Sequence, residues 1–476
     1  MTQRRVRSLT KTSSNLTPFF SLTINNFRLW RKQLTMSKET LLEKVEKDNV
    51  KYIHLQFTDI LGVPKDVVIP TEQLPGALEK GIWFDGSSIE GFARIAESDQ
   101  LLMPDAKTYC TLPWSTKDNK AARIICDVYG PDLKPFSGDP RYILRQAMKK
   151  AEEKGYVLNV GAELEFFLLQ KDSNLAPVPH DYGGYFDFSP FDVASKIRED
   201  VIKASSELNI KIEAGHHEVA VGQHEIDFRY ADALNTADNI ITLKTTIKAI
   251  AQSYGVNATF MPKPFAGING SGMHVHLSLF DQKGNNLFYE DNNGYKLSKI
   301  AYQFIAGLLK HSRSFTALTN PTTNSFKRLI PGYEAPVNIC WAQMNRSALI
   351  RIPRFTPGRE QSTRVELRSP DPSCNPYLAF AAILEAGLDG IENNIPLSKA
   401  VEEDIYHLDS TRKQELKISS LPGSLQEAID ELNKDEIIIN SITKHTLDRF
   451  IDAKNIEIDE QKTEVTPREL KRYLDL

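Results

Sequence analysis

The stretch Gly161-Ala162-Glu163-Leu164-Glu165-Phe166-Phe167-Leu168-Leu169 decides the reading of this chain. It is short, apolar and aromatic, which predicts a buried strand. It nevertheless carries two carboxylates. Residues two apart on a strand point to one face, so Glu163 and Glu165 look into the same space. Like charges side by side in a buried place are costly unless a cation sits between them. The competing reading is a solvated strand face, and the rest of the chain decides between the two.

Length and composition set the frame. The chain has 476 residues, with 41% hydrophobic and 25% charged side chains and a formal net charge of -4. These values suit a globular protein of two domains and give no basic balance for direct nucleic-acid binding. No run of 18 apolar residues is present, so a transmembrane helix is not expected and the protein has no membrane partner. Cys110, Cys126, Cys340 and Cys374 are scattered, form no CxxC pair, and fit a reducing cytoplasm.

Residues 1–35 differ from the remainder. They hold Arg4, Arg5, Arg7, Lys11, Arg28, Arg31 and Lys32 and no Asp or Glu. Such a composition resembles an organelle transit peptide. The expectation here is instead a basic, disordered extension upstream of a self-contained domain that opens at Met36. A sheet-rich N-terminal domain is expected over 36–135. Ser37 caps its helix, and strands are expected at Tyr52 to Asp59, Val67 to Ile69 and Arg123 to Tyr129. Pro131 to Pro140 reads as a linker, and Asp139-Pro140 as the start of a helix. The second domain, 136–476, alternates strands and helices. A helix is expected at Asp192 to Leu208, a strand at Ile210 to Ala214, a helix near Asp232 to Tyr254, and a strand at Met273 to Leu279. The region after Ser373 reads as mainly helical, with a capping box of Ser424 and Glu427.

Acids and histidines recur at strand spacing. His274 and His276 share a face, Glu218 and Glu225 bracket a glycine turn, and Glu366 alternates with Arg364 and Arg368. Several carboxylates with an imidazole and no nearby thiol suit Mg²⁺ or Mn²⁺ rather than Zn²⁺. From Arg328 to Arg368 the chain holds seven arginines (328, 346, 351, 354, 359, 364, 368) and no lysine. Exclusive use of arginine favours bidentate recognition of carboxylate or phosphate. Metal ligands, arginines and a glycine loop point to phosphoryl transfer, without a Walker motif or a kinase signature.

These motifs carry a resemblance. Phe84-Asp85-Gly86-Ser87-Ser88, Glu163-Leu164-Glu165, His217-Glu218 to Gln223-His224-Glu225, Asn269-Gly270-Ser271-Gly272-Met273-His274, Asn320-Pro321 to Lys327-Arg328 and on to Glu334-Ala335-Pro336, Asn345-Arg346-Ser347 and Arg364-Val365-Glu366-Leu367-Arg368 stand in one order. From Met36 onward the chain resembles bacterial type I glutamine synthetase, most of all its Gram-positive-type subclass. The resemblance implies an α+β fold: a small β-grasp-like N-terminal domain and a large catalytic domain with a curved antiparallel sheet and flanking helices. It implies ATP-dependent synthesis of glutamine from glutamate and ammonia through γ-glutamyl phosphate. A family ligase acting on polyamines is the alternative, and the intact pair Asp85 and Glu334 argues against it.

Carried over by motif, Glu165, Glu218 and Glu225 would hold one metal, and Glu163, His274 and Glu366 another beside the ATP phosphates. Asn269, Gly270, Arg328 and Arg368 would bind glutamate. Arg346, Arg351 and Arg364 would face the phosphates. Glu213, His276 and Ser278 would line the nucleotide pocket. Glu334 would close the site on a flap and take a proton from ammonium, with Asp85 reaching in from a neighbouring subunit of a homododecamer. A nitrogen-regulatory transcription factor is a further possible partner. Departures from the family pattern are Val221 in place of proline and a longer loop from Pro353 to Ser362, in which either Arg354 or Arg359 would meet the nucleotide. Tyr406 lies near a position adenylylated in another subclass, and no such modification is expected here. Arg94 matches a feedback position.

Overall fold

The structure is a computed structural model that describes residues 36–89, 91, 99–171, 176–190, 192–291, 294–403, 405, 408, 410–416 and 418–476. Residues 1–35, Arg94 and Tyr406 lie outside the described residues, as do Glu90 and Phe92 of the loop that follows Phe84.

The first sheet is built from β1 (Tyr52–Thr58), β2 (Pro64–Pro70), β3 (Ile82–Asp85), β4 (Asp99–Pro104), β5 (Cys110–Thr111) and β6 (Ala121–Tyr129). Its order is β2-β1-β6-β4-β3, with β5 beside β6 and β1 parallel to β6. In β1 the alternation of Ile53, Leu55 and Phe57 with polar residues buries one face. Helix α1 (Lys38–Lys47) is capped by the Ser37 hydroxyl and lays Leu41 and Val45 on that face, joined by Leu74 and Ala77 of α2 (Leu74–Lys80).

The second sheet holds β7 (Val157–Gln170), β8 (Ile212–His217), β9 (Gln223–Asp232), β10 (Val256–Thr259), β11 (Met273–Phe280), β12 (Asn338–Ala342), β13 (Ala348–Arg351), β14 (Val365–Leu367) and β15 (Ser419–Ser420). Among the described residues its order is β15-β12-β13-β14-β11-β7-β9-β8, with β10 beside the far end of β7. The pairs are antiparallel except β12 with β13, which run parallel and so depart from the all-antiparallel sheet expected. One face carries the core, with Ala162, Leu164, Phe166, Val275 and Leu277 packed under helices. The helices are α3 (Pro140–Glu153), α4 (Ser195–Glu207), α5 (Ala233–Ser253), α6 (Lys299–Thr319) and α7 (Pro376–Glu392). Helices α6 and α7 cross closely: a Cβ on Gly307 would stand 2.1 Å from the Ala386 carbonyl oxygen, and one on Gly390 2.1 Å from that of Gln303.

Two local expectations need correction. The strand expected at Ile210 to Ala214 runs two to three residues later. Asn209 takes φ 63° after α4, and the Ile210 N–H returns to the Ser205 carbonyl, so the helix cap consumes the first residues. The shift brings His216 and His217 onto β8. At Ser424 only half of the capping box forms. The serine hydroxyl accepts from the Glu427 N–H, but the Glu427 carboxylate accepts from the Gly423 N–H and from Arg313 instead. The full box is at Thr466 and Glu469.

The two sheets are joined through Arg141 on α3. Its guanidinium is almost wholly buried and donates to Asp105 and Asp127 of the first domain and to Asp238 of α5. Tyr377 donates its hydroxyl to the same Asp238 at 2.6 Å. Asp139 caps α3 through the Arg141 N–H and also accepts from the Val128 N–H. Burial, then the charge of Asp127, pushes its carboxyl up to about 7. Removing one member of a buried charge network leaves the others uncompensated. Arg141→Met is therefore expected to lower unfolding free energy by about 3–5 kcal/mol, read from urea denaturation against the parent chain.

Candidate active site

The outward face of the second sheet carries the polar residues that alternate with the core. Antiparallel register stacks them in rows. Arg351 on β13 faces Glu366 on β14, which faces His276 on β11. One row along, His274 on β11 faces Glu163 on β7, which faces Asp227 on β9. In the next row Glu165 faces Glu225, which faces His216 on β8. The two acids of the opening stretch therefore share a face, as the strand period requires.

Three sets of ligating atoms come together among the described residues, each within 4.8 Å: Glu163, His274 and Glu366; His216, Glu218 and Glu225; and Asp181, His217 and His224. The first is the expected set. Glu163 accepts from His274 Nδ1 at 2.9 Å and His276 Nε2 at 2.6 Å, while Glu366 accepts from Arg351 and from Arg368 Nη1 at 2.9 Å. Burial opposes the charge on Glu163, but hydrogen bonds from His274 and His276 hold its carboxyl well below the ordinary range. Burial likewise opposes charge on Glu366, and His274 and Arg368 outweigh it.

The second set contains His216, which the sequence reading passed over, although it precedes His217-Glu218. Its Nε2 lies 3.2 Å from Glu225 Oε1. Glu165 is not one of these three. Its Oε2 is held by Gln223 Nε2 at 2.8 Å and by the Gly272 N–H at 2.9 Å, on the strand position facing Glu225. Burial, then the charges of Glu225 and Glu218, raises the Glu165 carboxyl well above its ordinary value. Burial raises Glu218 too, and burial with the Asp227 and Glu163 charges raises Glu225. Asp227, two residues from Glu225 on the same strand, is raised by burial and Glu163 and has a buried oxygen without a hydrogen-bond partner. The period of two could have flagged it.

This crowd of carboxyls lacks counter-charge, and a divalent cation would supply it. In the first two sets, oxygens with one imidazole and no thiol fit Mg²⁺ or Mn²⁺. The residues present therefore fit the metals that the motifs imply.

Around these sets stand the cations and the loops. Arg328 is buried and donates to the Ser369 and Arg368 carbonyls. A Cβ on Gly272 would lie 2.5 Å from its Nη2, so a larger residue there would displace the guanidinium. Arg368 has a buried Nε–H with no hydrogen-bond partner. Arg364 Nε donates to His276 Nδ1 at 3.2 Å, which leaves the ring proton on Nε2, facing Glu163. A Cβ on Gly270 would meet the Pro262 carbonyl oxygen at 2.2 Å. Asn269 Nδ2 donates to Glu334 Oε2 at 2.9 Å, and Lys263 Nζ sits 4.0 Å from the centre of the Tyr333 ring, which ties residues 333–334 to the segment 263–269. Glu334 takes φ 56°, an uncommon conformation for a residue with a side chain. Tyr185 is a further residue the sequence reading missed. Burial raises its hydroxyl, then the charges of Glu218 and Glu225, with Arg346 opposing and Glu334 adding, and its ring packs edge-on to His216.

Other expected residues are placed less centrally. Ser278 is buried on β11, while Glu213 is exposed on β8 beside a register shift. Arg346, Arg354 and Arg359 are exposed. Asp85 is exposed on the first domain, where its carboxylate accepts from the Ser87 N–H at 2.8 Å.

Comparison with known proteins decides the family. Residues 137–473 match the profile of "Glutamine synthetase, catalytic domain", and residues 49–131 that of "Glutamine synthetase, beta-Grasp domain". The chain belongs to the glutamine synthetase family. It is 53% identical to glutamine synthetase of Thermotoga maritima, over 93% of this chain and 100% of that protein. It is 51% identical to that of Methanosarcina mazei, over 92% and 98%. Among solved structures, a GmaS/ADP complex superposes with TM-score 0.84 at 32% identity, over 92% of this chain and 99% of that one. Glutamine synthetase of Plasmodium falciparum superposes with TM-score 0.82 at 26% identity, over 92% and 98%. The two-domain architecture expected from the motifs is thus confirmed, and the chain is a glutamate–ammonia ligase. No helix among the described residues is long and apolar enough to cross a membrane.

The raised carboxyls set a pH dependence. A carboxyl with a folded-state pKa above its unfolded value keeps a proton that unfolding releases. Stability therefore falls as pH rises beyond the ordinary carboxylate range. In chelator the melting temperature is expected to drop between pH 6 and pH 8.5, and Mn²⁺ is expected to raise it more at pH 8.5. Thermal melts at both pH values check this.

Proposed function

We propose that the outward face of the second sheet is the catalytic surface of this ligase, with the roles that follow. Glu163, His274 and Glu366 hold one divalent cation. Glu218 and Glu225, with His216 beside them and Glu165 facing from β7, hold another. The supporting observation is the convergence of two carboxylate-rich sets on neighbouring rows of one sheet. Bound Mg²⁺ or Mn²⁺ would neutralise charge on the nucleotide phosphates and on the phosphoryl group in transfer.

The chain's own groups do the rest. Arg346, Arg351 and Arg364 neutralise phosphoryl oxygens that gain charge in the transition state. The unpartnered Arg368 Nε–H, with Asn269, Gly270 and Arg328, receives and orients glutamate. Its γ-carboxylate attacks the terminal phosphorus of ATP, giving γ-glutamyl phosphate and ADP. Glu334, held over the opening by Asn269, excludes water that would hydrolyse the acyl phosphate and accepts a proton from ammonium. The ammonia so formed displaces phosphate from the acyl carbon. His276, Ser278 and Glu213 border the nucleotide, with Arg354 or Arg359 added from the long loop. The similar GmaS structure holds ADP, which supports a nucleotide as a ligand of this fold.

Asp85 is exposed on its own chain, which suits its delivery to a neighbouring subunit's site in a homododecamer. The domain limits that go with this reading are 36–135 and 136–476. The motif pattern supports the Gram-positive-type subclass, and four buried free cysteines support a cytoplasmic setting. A nitrogen-regulatory transcription factor as partner rests on the subclass alone.

The direct test is formation of γ-glutamyl hydroxamate from glutamate, hydroxylamine and ATP with added Mg²⁺ or Mn²⁺. No product with either metal would overturn the reading. Glu334→Ala is expected to keep ATP binding and lose most ammonia-dependent turnover. Arg368→Ala is expected to raise the KM for glutamate most, by at most about 3 kcal/mol in kcat/KM, the worth of a charge-assisted pair. Steady-state kinetics with glutamate and ATP varied separately check both.

A further inference from the structure

The third set of ligating atoms lies on the other side of the β8–β9 hairpin. Asp181, His217 and His224 are all buried. By composition they would make a metal site, but their hydrogen bonds say otherwise. Arg198 Nη1 lies 3.0 Å from His224 Nδ1, and a guanidinium only donates. His224 therefore accepts at Nδ1 and carries its proton on Nε2, which lies 3.4 Å from Asp181 Oδ2, with neither of these two buried atoms hydrogen-bonded. His217 Nδ1 lies 2.7 Å from the Glu218 carbonyl oxygen, an acceptor, and its Nε2 lies 2.7 Å from Asp181 Oδ1. Only His217 donates to the carboxylate; both of its nitrogens face acceptors, so it does so as an imidazolium, and with the His224 Nε2 also carrying a proton neither ring offers a lone pair to a metal here.

The same Asp181 oxygen accepts from the N–H groups of Gly222 at 3.1 Å and Gly183 at 3.2 Å. Gly222 closes the turn between Glu218 and Glu225 at φ 68°, and a Cβ there would lie 3.0 Å from the Leu168 carbonyl oxygen. Arg198 is fixed in turn by both oxygens of Asp192. One carboxylate thus grips the turn of the hairpin directly and the Glu218 peptide through His217. It also holds the segment that carries Tyr185 and Phe186, whose rings pack on His216 at 5.7 and 4.5 Å between centres.

We infer that Asp181, acting through His217 and Gly222, is a positioning residue that sets the spacing of Glu218 and Glu225 for the second metal. The inference rests on the proposed role of those two glutamates. Partners behind metal ligands typically contribute about 10–100-fold in metal affinity. A merely structural role would instead lower stability and the number of competent sites without favouring one metal site over the other.

The test is Mn²⁺ binding, followed by electron paramagnetic resonance on the full chain. Asp181→Asn is introduced in a Glu163→Gln background, where the Glu218 set is the one intact, and separately in a Glu218→Gln background. Mn²⁺ affinity is expected to fall about 10–100-fold in the first and to stay unchanged in the second. Hydroxamate formation by Asp181→Asn alone should show a raised KM for Mn²⁺ with kcat retained at saturating metal. Unchanged affinity in the first background, or equal loss in both, overturns the inference. Should Asp181→Asn not fold, His217→Gln is measured in the same two backgrounds, with a smaller selective loss expected and unchanged affinity overturning the inference. Parent chain that takes up no Mn²⁺ would overturn the metal reading and the inference with it, and is distinguishable because no variant is needed to see it.

Discussion

Carboxylates crowded on one face of a sheet are the constraint on which the rest of the molecule depends. Glu163, Glu165, Glu218, Glu225, Asp227 and Glu366 sit within three neighbouring rows or on the turn beside them, three of them buried and three half-buried. In water such a group would cost little. Under a low local dielectric, each charge raises the cost of the next. The chain answers this cost unevenly. At Glu163 and Glu366 it supplies histidines and arginines, and the acids stay ionised. At Glu165, Glu218 and Glu225 it supplies less, and burial first, then neighbouring acids, raises their carboxyls above the ordinary range. That imbalance is what a binding surface for a divalent ion looks like before the ion is counted.

The surroundings hold this arrangement against its own repulsion. Donors reach the acids from fixed backbone, such as the Gly272 N–H on Glu165, or from side chains locked by others, such as Gln223. Gln223 also donates to the Gly270 carbonyl, which couples the hairpin of Glu218 and Glu225 to the loop over the site. Behind the hairpin lie the buried Asp192, Arg198, His224, Asp181 and His217, with Asp192 and His224 tied to Arg198 and His217 to Asp181 on the side away from the acids. Between domains Arg141 does the analogous work, neutralising acids from both domains at one point.

Two residues with side chains, Phe186 and Glu334, adopt positive φ at the mouth of the site. One leads into the wall against His216 and the other carries the flap carboxylate. Strained backbone at such places is stable only when neighbours over-determine it. Here the Phe186 N–H is tied to the His217 carbonyl and the Glu334 side chain to Asn269.

Much of this was legible along the chain. The period of two put Glu163 with Glu165 and His274 with His276 on shared faces, because alternation in a strand is a local property of the backbone. Helix starts at Ser37, Asp139 and Asp232 were readable because capping involves only neighbours in sequence. Motif order carried the family. Register and long-range donors were not legible. That His216 stands with Glu218 and Glu225, and that Gln223 and the Gly272 N–H hold the Glu165 carboxylate opposite Glu225, depends on contacts across strands. The Glu427 carboxylate was drawn from its cap by Gly423 and Arg313, more than a hundred residues from the latter in sequence. Local pattern thus determined which residues were available to bind and which way each strand faced. Only the folded chain decided which acid met which donor, because hydrogen-bond partners are assigned by distance in space, and spacing along a chain carries no measure of that.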